Sequence, residues 1–116
     1  MITLQQINNL KQLDVDYVIG GSNAVMWYIG HDIRKCTDID IHLTNKDVAR
    51  EEVKDIFNQP VDISYEQIPY QIYNDVRVMQ LEYLIALKLS RMSRKDIYDL
   101  YFLLNMKFNK CLVRKY

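Results

Sequence analysis

The amino-acid sequence predicts a single α/β domain, in the α+β sense, with a small mixed β-sheet and helices packed on one face of it. Two observations support this fold class. The 116 residues are 49% hydrophobic, which suits one globular domain over residues 1–116. The spacing of the apolar residues also changes along the chain, from a helical period to strict alternation and back.

The first three predicted elements are a helix, a strand and a second helix. Leucine and isoleucine recur at helical spacing from Leu4 to Leu13, behind Thr3 as an N-cap residue. The stretch DYVIGG then predicts a short buried strand. SNAVMWYIG follows these glycines without alternation, so we expect a helix there that ends at Gly30.

Two alternating segments predict strands of the sheet. TDIDIHL places its two aspartates and His42 on one face of a strand, and VDISYE does the same with Asp62 and Ser64. Between them, Thr44 and Asp47 form a capping-box pattern ahead of KDVAREEVKDIF, a charged surface helix. Polar and apolar faces therefore divide in the same way on both strands.

The C-terminal third is predicted to be mostly helical. YNDVRVMQ is a candidate for a further strand. LEYLIALKLSRM and KDIYDLYFLLNMKF predict two helices that are split near Ser93. The pattern of the tail, NKCLVRKY, is ambiguous between helix and strand.

Composition narrows the classes of protein that fit. Lys and Arg number 15, as do Asp and Glu, so no net field attracts the whole chain to nucleic acid or to a membrane. No apolar stretch approaches the ~20 residues of a membrane span, and we expect no membrane partner. Cys36 and Cys111 form neither a disulfide framework nor a metal-binding spacing. A cytoplasmic location is therefore expected.

The aspartates of the alternating strands suggest a metal site. Asp38 and Asp40 lie two residues apart on one strand face, with carboxylates roughly 7 Å apart. Such close like charges repel each other, and a shared divalent cation would relieve the repulsion. Mg²⁺ prefers oxygen ligands and binds together with substrate phosphates. If the strand of Asp62 lies alongside in matching orientation, three carboxylates could hold two ions for phosphoryl transfer.

The glycine pair upstream suits a phosphate-binding turn. At Gly20 and Gly21, backbone N–H groups could approach a triphosphate closely. The N-terminus of the following helix would favour the negative charge of that group. An ordinary tight turn is the other interpretation of a glycine pair.

The order of these motifs resembles the signature of the nucleotidyltransferase (polymerase beta-like) superfamily. That signature is a hydrophobic residue, a glycine pair, a helix, and an acidic–hydrophobic–acidic–hydrophobic strand. Here IGGS (19–22) and DIDI (38–41) carry it. Arg34 and Thr37 ahead of the acidic pair, with the later helix that contains Lys88, are similar to the branch of AbiE-type abortive-infection toxins.

The resemblance implies transfer of a nucleotide from an NTP, with Mg²⁺, onto an acceptor hydroxyl, which in some relatives is the 3′ end of a tRNA. The acceptor would be RNA or a partner protein in a toxin–antitoxin or phage-defence setting, with an antitoxin as a further partner. The implied metal ligands are Asp38, Asp40 and Asp62; the implied catalytic residues are these three with Lys88; and the implied nucleotide-binding residues are Gly20, Gly21, Ser22, Arg34, Thr37 and Asp99.

Other functions fit the same pattern. Antibiotic adenylyltransferases share a similar glycine–arginine–aspartate stretch, so a small-molecule acceptor is one alternative. A nucleotide-binding module that has lost turnover is another. A basic stripe beside the acidic cleft would favour an RNA acceptor, and its candidates are Arg91, Arg94, Lys95, Lys107 and Lys110.

Several of these residues also have structural interpretations. The strand aspartates could line a solvated face, and Lys88 could be a snorkelling lysine whose stem packs on an apolar helix. Asp99 could form a surface ion pair with Lys95. Arg34 could pair with Asp38 or with a triphosphate. The remaining cases are Asp96, which completes a capping box with Ser93, and His42, which is expected to be structural or exposed.

Overall fold

The computed structural model describes residues 1–36, 38–44 and 50–116. Within these ranges six helices accompany one five-stranded sheet. None of these helices is long and apolar enough to cross a membrane. The helices are α1 (Leu4–Gln12), α2 (Gly21–Ile29), α3 (Arg50–Lys54), α4 (Leu81–Arg91), α5 (Arg94–Leu103) and α6 (Lys110–Lys115), and the strands are β1 (Tyr17–Gly20), β2 (Ile39–Leu43), β3 (Val61–Ser64), β4 (Tyr70–Tyr73) and β5 (Val76–Met79).

The sheet is mixed, as the sequence predicts. Its strand order is β3-β2-β1-β5-β4. β1 runs antiparallel to β2 and parallel to β5, and β2 and β3 are parallel to each other. The predicted fold class is therefore confirmed, as is the matching orientation of the two aspartate-bearing strands.

Local signals in the sequence produce the expected helix ends. Thr3 caps α1 in a capping box with Gln6, and Ser93 caps α5 in another with Asp96. Gly30 ends α2 in the left-handed conformation, with φ of 96°. Of the predicted helix KDVAREEVKDIF, residues 50–57 are described, and α3 ends at Lys54, three residues earlier than predicted. Asp47 and Thr37 lie outside the described residues.

The segment after residue 68 differs from the prediction. YNDVRVMQ is not one strand, because Tyr73 ends β4 and Val76 begins β5. The turn residues Asn74 and Asp75 have φ values of 51° and 64°. Two successive residues with positive φ are typical of a type I′ hairpin turn, which Asn and Asp tolerate. The ambiguous tail forms α6.

The two faces of the sheet differ in burial. In β2 the side chains of Ile39, Ile41 and Leu43 are fully buried, whereas Asp40 and His42 are half-buried. α2 packs against β1, β2 and β5. The alternation in the sequence therefore separates a core face from a polar face, as predicted.

The turn between α4 and α5 provides a test of backbone strain. Met92 ends α4 in the left-handed region, with φ of 51° and ψ of 33°, and its side chain is half exposed. Glycine adopts this conformation without steric penalty. Met92→Gly should therefore raise the free energy of unfolding in urea by about 0.5–1 kcal/mol.

The matched control is Leu89→Gly, at a similarly exposed position within α4. It should lower the free energy of unfolding by about 1 kcal/mol, the cost of glycine in a helix. A Met92→Gly protein that is less stable than wild type would contradict the strain argument.

Candidate active site

Two aspartates stand side by side on the polar face of the sheet. Asp40 of β2 and Asp62 of β3 are direct register partners, on strands that are typically about 4.8 Å apart. His42 and Ser64 form the next pair along the same face. Asp38 lies just before β2 and is exposed. The structure therefore places Asp62 beside Asp40, and Asp38 at the entrance to the strand.

The glycine pair is the point where α2 approaches these carboxylates. Gly21 has φ of +57°, and a Cβ atom there would lie 2.0 Å from Oδ2 of Asp40. A Cβ atom on Gly20 would lie 2.8 Å from Nε2 of His42. Both glycines thus permit a close contact between the start of α2 and the polar face.

The N-terminus of α2 is suited to an anion. Its N-cap residue, Gly20, has no side chain, and within the described part of the chain no side chain caps the helix. Backbone N–H groups in the first turn of a nine-residue helix then lack intrahelical acceptors. Together with the helix dipole, these groups favour a phosphate beside Ser22.

A cluster of charged side chains lies next to this helix end. Arg34 donates two hydrogen bonds to Asp99, from Nε to Oδ1 at 2.9 Å and from Nη2 to Oδ2 at 2.8 Å. Nη2 also donates to Oγ of Ser22. Nζ of Lys88 lies 2.9 Å from Oδ2 of Asp99 and 3.2 Å from Oδ1 of Asp96. We call Arg34, Lys88, Asp96 and Asp99 the buried ion cluster.

The cluster contradicts two structural interpretations from the sequence. Asp99 is 0% exposed, so it does not form a surface ion pair with Lys95. Lys88 is 2% exposed and its ammonium is buried with its stem, so it does not snorkel. Sequence periodicity could not reveal this, because the cations and carboxylates meet only when α4, α5 and the segment before β2 pack together. The alternative pairing of Arg34 with Asp38 gives way to the pair with Asp99.

Hydrogen bonds keep both carboxylates of the cluster ionised. Burial by itself would raise the pKa of Asp99, but hydrogen bonds from Arg34 and Lys88 outweigh it and hold the pKa below the ordinary value. Burial also acts against ionised Asp96, whose pKa is lowered by hydrogen bonds from Ser93 and Lys88. The capping box predicted for Asp96 is confirmed, and the same carboxylate also binds Lys88.

Two adjoining cavities open at the polar face. The first holds about 200 Å³ and the second about 270 Å³. They share Gly21, Asp40 and Arg91. The first is lined in addition by His42, Asp62, Ile63, Ser64, Met79, Leu84 and Leu87, and the second by Ser22, Arg34, Lys88, Ser93, Lys95 and Asp96.

The two cavities differ in charge and polarity. In the first, carboxylates lie against apolar walls from β5 and α4, so α4 also borders the polar face of the sheet. Burial raises the pKa of Asp40, and the neighbouring charge of Asp62 raises it further. The second cavity is rich in cations. Asp40 thus lies between an acidic, partly apolar compartment and a basic one.

Three residues outside the predicted catalytic, metal-binding and nucleotide-binding sets also line these cavities. His42 was expected to be structural or exposed, but it lines the first cavity, and burial lowers its pKa. Arg91 lines both cavities, and its side chain is 58% exposed. Ser64 lines the first cavity. Alternation in β2 and β3 already placed His42 and Ser64 on the polar face without giving either a role in the site, and Arg91 was named as a candidate for a basic stripe beside the acidic cleft.

The carboxylates fit a Mg²⁺ ion that is bound jointly with phosphates. Within residues 1–36, 38–44 and 50–116, no group of three His, Cys, Asp or Glu residues is arranged to hold a metal ion. Mg²⁺, however, commonly uses one or two carboxylates together with substrate phosphates. Asp40 and Asp62 supply two, and a cation between them would relieve the repulsion that Asp62 exerts on ionised Asp40. Asp38 as a third ligand stays a prediction.

Of the predicted nucleotide-binding residues, Gly21, Ser22 and Arg34 line the second cavity, as does Lys88, which was predicted to be catalytic. Gly20 ends β1 just before them, and Asp99 lies behind the cavity, bound to Arg34 and Lys88. Thr37 falls outside the described residues.

No family model, curated protein or solved structure matches this chain.

Gly21→Ala tests the close approach of α2 to Asp40. The substitution places a methyl group against the carboxylate and forces alanine into a positive φ. We expect a loss of about 2–4 kcal/mol in the free energy of unfolding, since overpacking and left-handed strain add.

Gly30→Ala is the matched control, because Gly30 also has a positive φ but no atom within 4 Å of a Cβ position among the described residues. It should lose only the strain, about 1 kcal/mol. In an Asp40→Ala background, Gly21→Ala should cost about as much as Gly30→Ala. If Gly21→Ala still cost more than Gly30→Ala by the same amount in that background, the close contact between Gly21 and Asp40 would be contradicted.

Lys88→Met tests the buried ion cluster. Removing the ammonium leaves Asp99 and Asp96 short of a buried partner, so urea unfolding at pH 7 should show a loss of at least about 3 kcal/mol. The matched variant Arg91→Met removes an exposed cation from the same carboxylate, Asp96, and should lose less than about 1 kcal/mol.

The pH dependence of this loss has a definite sign. The lowered pKa of Asp99 in wild type contributes stability that is present above the ordinary value of 3.8 and lost as the pH falls below it. Without Lys88 this contribution is smaller, so the gap between variant and wild type should narrow as the pH approaches and passes 3.8. A gap that widens on acidification would contradict this assignment.

Proposed function

We propose that this chain is a Mg²⁺-dependent nucleotidyltransferase that transfers a nucleotide from an NTP to an acceptor hydroxyl. The observation that carries the proposal is the direct pairing of Asp40 with Asp62 at the point where Gly21 begins an uncapped helix. The carboxylates that would bind a metal then lie next to the backbone N–H groups of α2 that would bind phosphates. The resemblance to the nucleotidyltransferase signature supports the same function.

The second cavity has the chemistry of a triphosphate site. The first turn of α2 would donate backbone hydrogen bonds, and Oγ of Ser22 would contact a phosphate oxygen. Arg91 is the accessible cation, since its side chain is 58% exposed and lies 3.4 Å from Asp96. Arg34 and Lys88 are held by Asp99, so they would contribute positive charge from fixed positions.

The first cavity would receive the acceptor. Asp40 and Asp62 would hold Mg²⁺, which supplies a positive charge to neutralise the triphosphate and to activate the acceptor oxygen. Asp62 lies on the acceptor side and would take the hydroxyl proton. The acceptor oxygen forms a bond to the α-phosphorus, and the bond to the leaving pyrophosphate breaks. The apolar side chains of Met79, Leu84 and Leu87 would limit competing attack by water.

The acceptor is proposed to be RNA, with tRNA as the first candidate, or a partner protein. The direct test is incubation of the purified chain with each NTP labelled at the α-phosphate, Mg²⁺, and either total tRNA or a cytosolic protein extract. Transfer of label to RNA or to protein identifies the acceptor class. A thermal shift with NTP and Mg²⁺ but without transfer would indicate a nucleotide-binding module. The absence of both transfer and a thermal shift would refute the proposal.

Asp40→Asn tests the metal-binding carboxylate. Because it removes one negative ligand but retains the side-chain shape, transfer should fall at least about 100-fold. Asp62→Asn should have a comparable effect. Glu66→Gln removes an exposed carboxylate beyond the end of β3 and should leave transfer unchanged. Equal activity of Asp40→Asn and wild type would remove Asp40 from the site.

The stability of Asp40→Asn supplies a readout that does not depend on activity. The raised pKa of Asp40 means that ionising it costs stability, and this cost grows as the pH rises above the ordinary value of 3.8. In EDTA at pH 7, Asp40→Asn should therefore melt at the same temperature as wild type or higher, and any advantage should vanish below pH 3.8. A clearly lower melting temperature at pH 7 would indicate a structural role for Asp40.

A further inference from the structure

An apolar stripe runs along the outer face of α5. Ile97, Tyr101 and Leu104 recur at spacings of four and three residues, so they lie on one helical face. Their exposed fractions are 52%, 72% and 47%. The opposite face of α5 packs against α4 and α2 through buried Leu100 and Leu103. We call Ile97, Tyr101 and Leu104 the α5 stripe.

The fold does not use this stripe for its own core. Single exposed apolar residues are ordinary, but three in a row along one helix form a contiguous surface that a partner could cover. The ring of Tyr101 packs edge-on against Phe102 of the same helix, with centroids 5.5 Å apart. The stripe is therefore a candidate interaction surface.

The exposed charge of the C-terminal segment that carries the stripe has one sign. Residues 83–116 contain eight Lys or Arg and two Asp, whereas residues 1–82 contain seven Lys or Arg and thirteen Asp or Glu. Both Asp residues of the C-terminal segment are buried and bound to Lys88. The exposed charges of residues 83–116 are thus all cationic side chains: Arg91, Arg94, Lys95, Lys107, Lys110, Arg114 and Lys115.

We propose that the α5 stripe docks an amphipathic helix of another protein, whose apolar face covers the stripe and whose flanks carry Asp and Glu. Spacings of three and four residues are those by which helices present apolar anchors to a partner. Cations border the stripe at both ends, with Arg94 in the first turn of α5 and Lys107 just beyond it. An acidic partner matches this charge.

Two other occupants fit less well. Nucleic acid would use the positive charges and could stack on Tyr101, but it offers no apolar surface to Ile97 and Leu104. A second copy that docked through its own α5 would bring basic flanks against basic flanks. An acidic amphipathic helix satisfies both the stripe and its surroundings. This interaction does not depend on the proposed transferase activity.

The probe is a fluorescently labelled synthetic helix of about four turns, with leucines at the spacing of the stripe and glutamates on both flanks. The first control peptide has the same composition but scattered leucines. The second keeps the leucine spacing and carries lysine in place of glutamate. Anisotropy titration should show binding of the first peptide to the full chain and at least about tenfold weaker binding of both controls.

Variants of the chain locate the binding surface. Ile97→Ser and Tyr101→Ser should each weaken binding of the acidic peptide about tenfold, while Leu4→Ser, at a 64% exposed position on α1, should not. Arg94→Glu combined with Lys107→Glu, at the two ends of the stripe, should weaken binding and flatten its salt dependence. The four positions substituted in the stripe variants and in the double variant are all exposed. The melting temperatures of these variants should therefore stay near that of wild type.

Several results would overturn the proposal. The first is that the scattered-leucine peptide binds as tightly as the acidic peptide. The second is that the acidic peptide does not bind at the highest soluble protein concentration. The third is that Ile97→Ser and Tyr101→Ser bind the acidic peptide as tightly as wild type. A labelled RNA hairpin would be tested on the same variants. If Ile97→Ser and Tyr101→Ser weakened binding of the hairpin but not of the peptide, the surface would be assigned to RNA. A dimer in light scattering that Tyr101→Ser abolishes would assign it to a second copy.

Discussion

The fully buried carboxylate of Asp99 is the constraint on which the site depends. An ionised carboxylate without solvent is costly unless cations and hydrogen bonds surround it. Asp99 receives them from Arg34, in the segment before β2, and from Lys88 on α4. Arg34 in turn reaches Ser22 on α2. One carboxylate thereby fixes four parts of the chain relative to one another, and the C-terminal helices become part of the site rather than an attachment to it.

This arrangement divides the cations of the second cavity into two kinds. Lys88 and Arg34 are held by carboxylates and give the cavity a fixed positive wall. Arg91 shares only a long contact of 3.4 Å with Asp96 and remains largely exposed. Preorganised charge costs little reorganisation when an anion enters, whereas an exposed arginine can follow the ligand. The proposed triphosphate site uses both properties.

α5 connects the site with the surface on the other side of the same helix. Its inner face carries Asp96 and Asp99, and its outer face carries the α5 stripe. Because Asp99 holds Arg34 directly, a displacement of α5 would move a cation of the second cavity. The α5 stripe, where we propose that a partner docks, and the candidate site therefore lie on opposite faces of one helix, although the chemistry of each is independent of the other.

The sequence by itself determined the local features. Alternation in TDIDIHL and VDISYE placed Asp40 and Asp62 on polar strand faces, and capping residues set the starts of α1 and α5, because these signals act over a few residues. Only the tertiary structure decided which residues meet. The parallel register of β2 and β3 brought Asp62 beside Asp40, and the packing of α4 and α5 buried Lys88 with Asp99. For Lys88 and Asp99 the sequence offered surface interpretations beside the roles that the resemblance implies, since helical periodicity does not specify which distant charge covers a buried one. Long-range burial and pairing depend on how the elements pack, and that information is distributed over the whole chain.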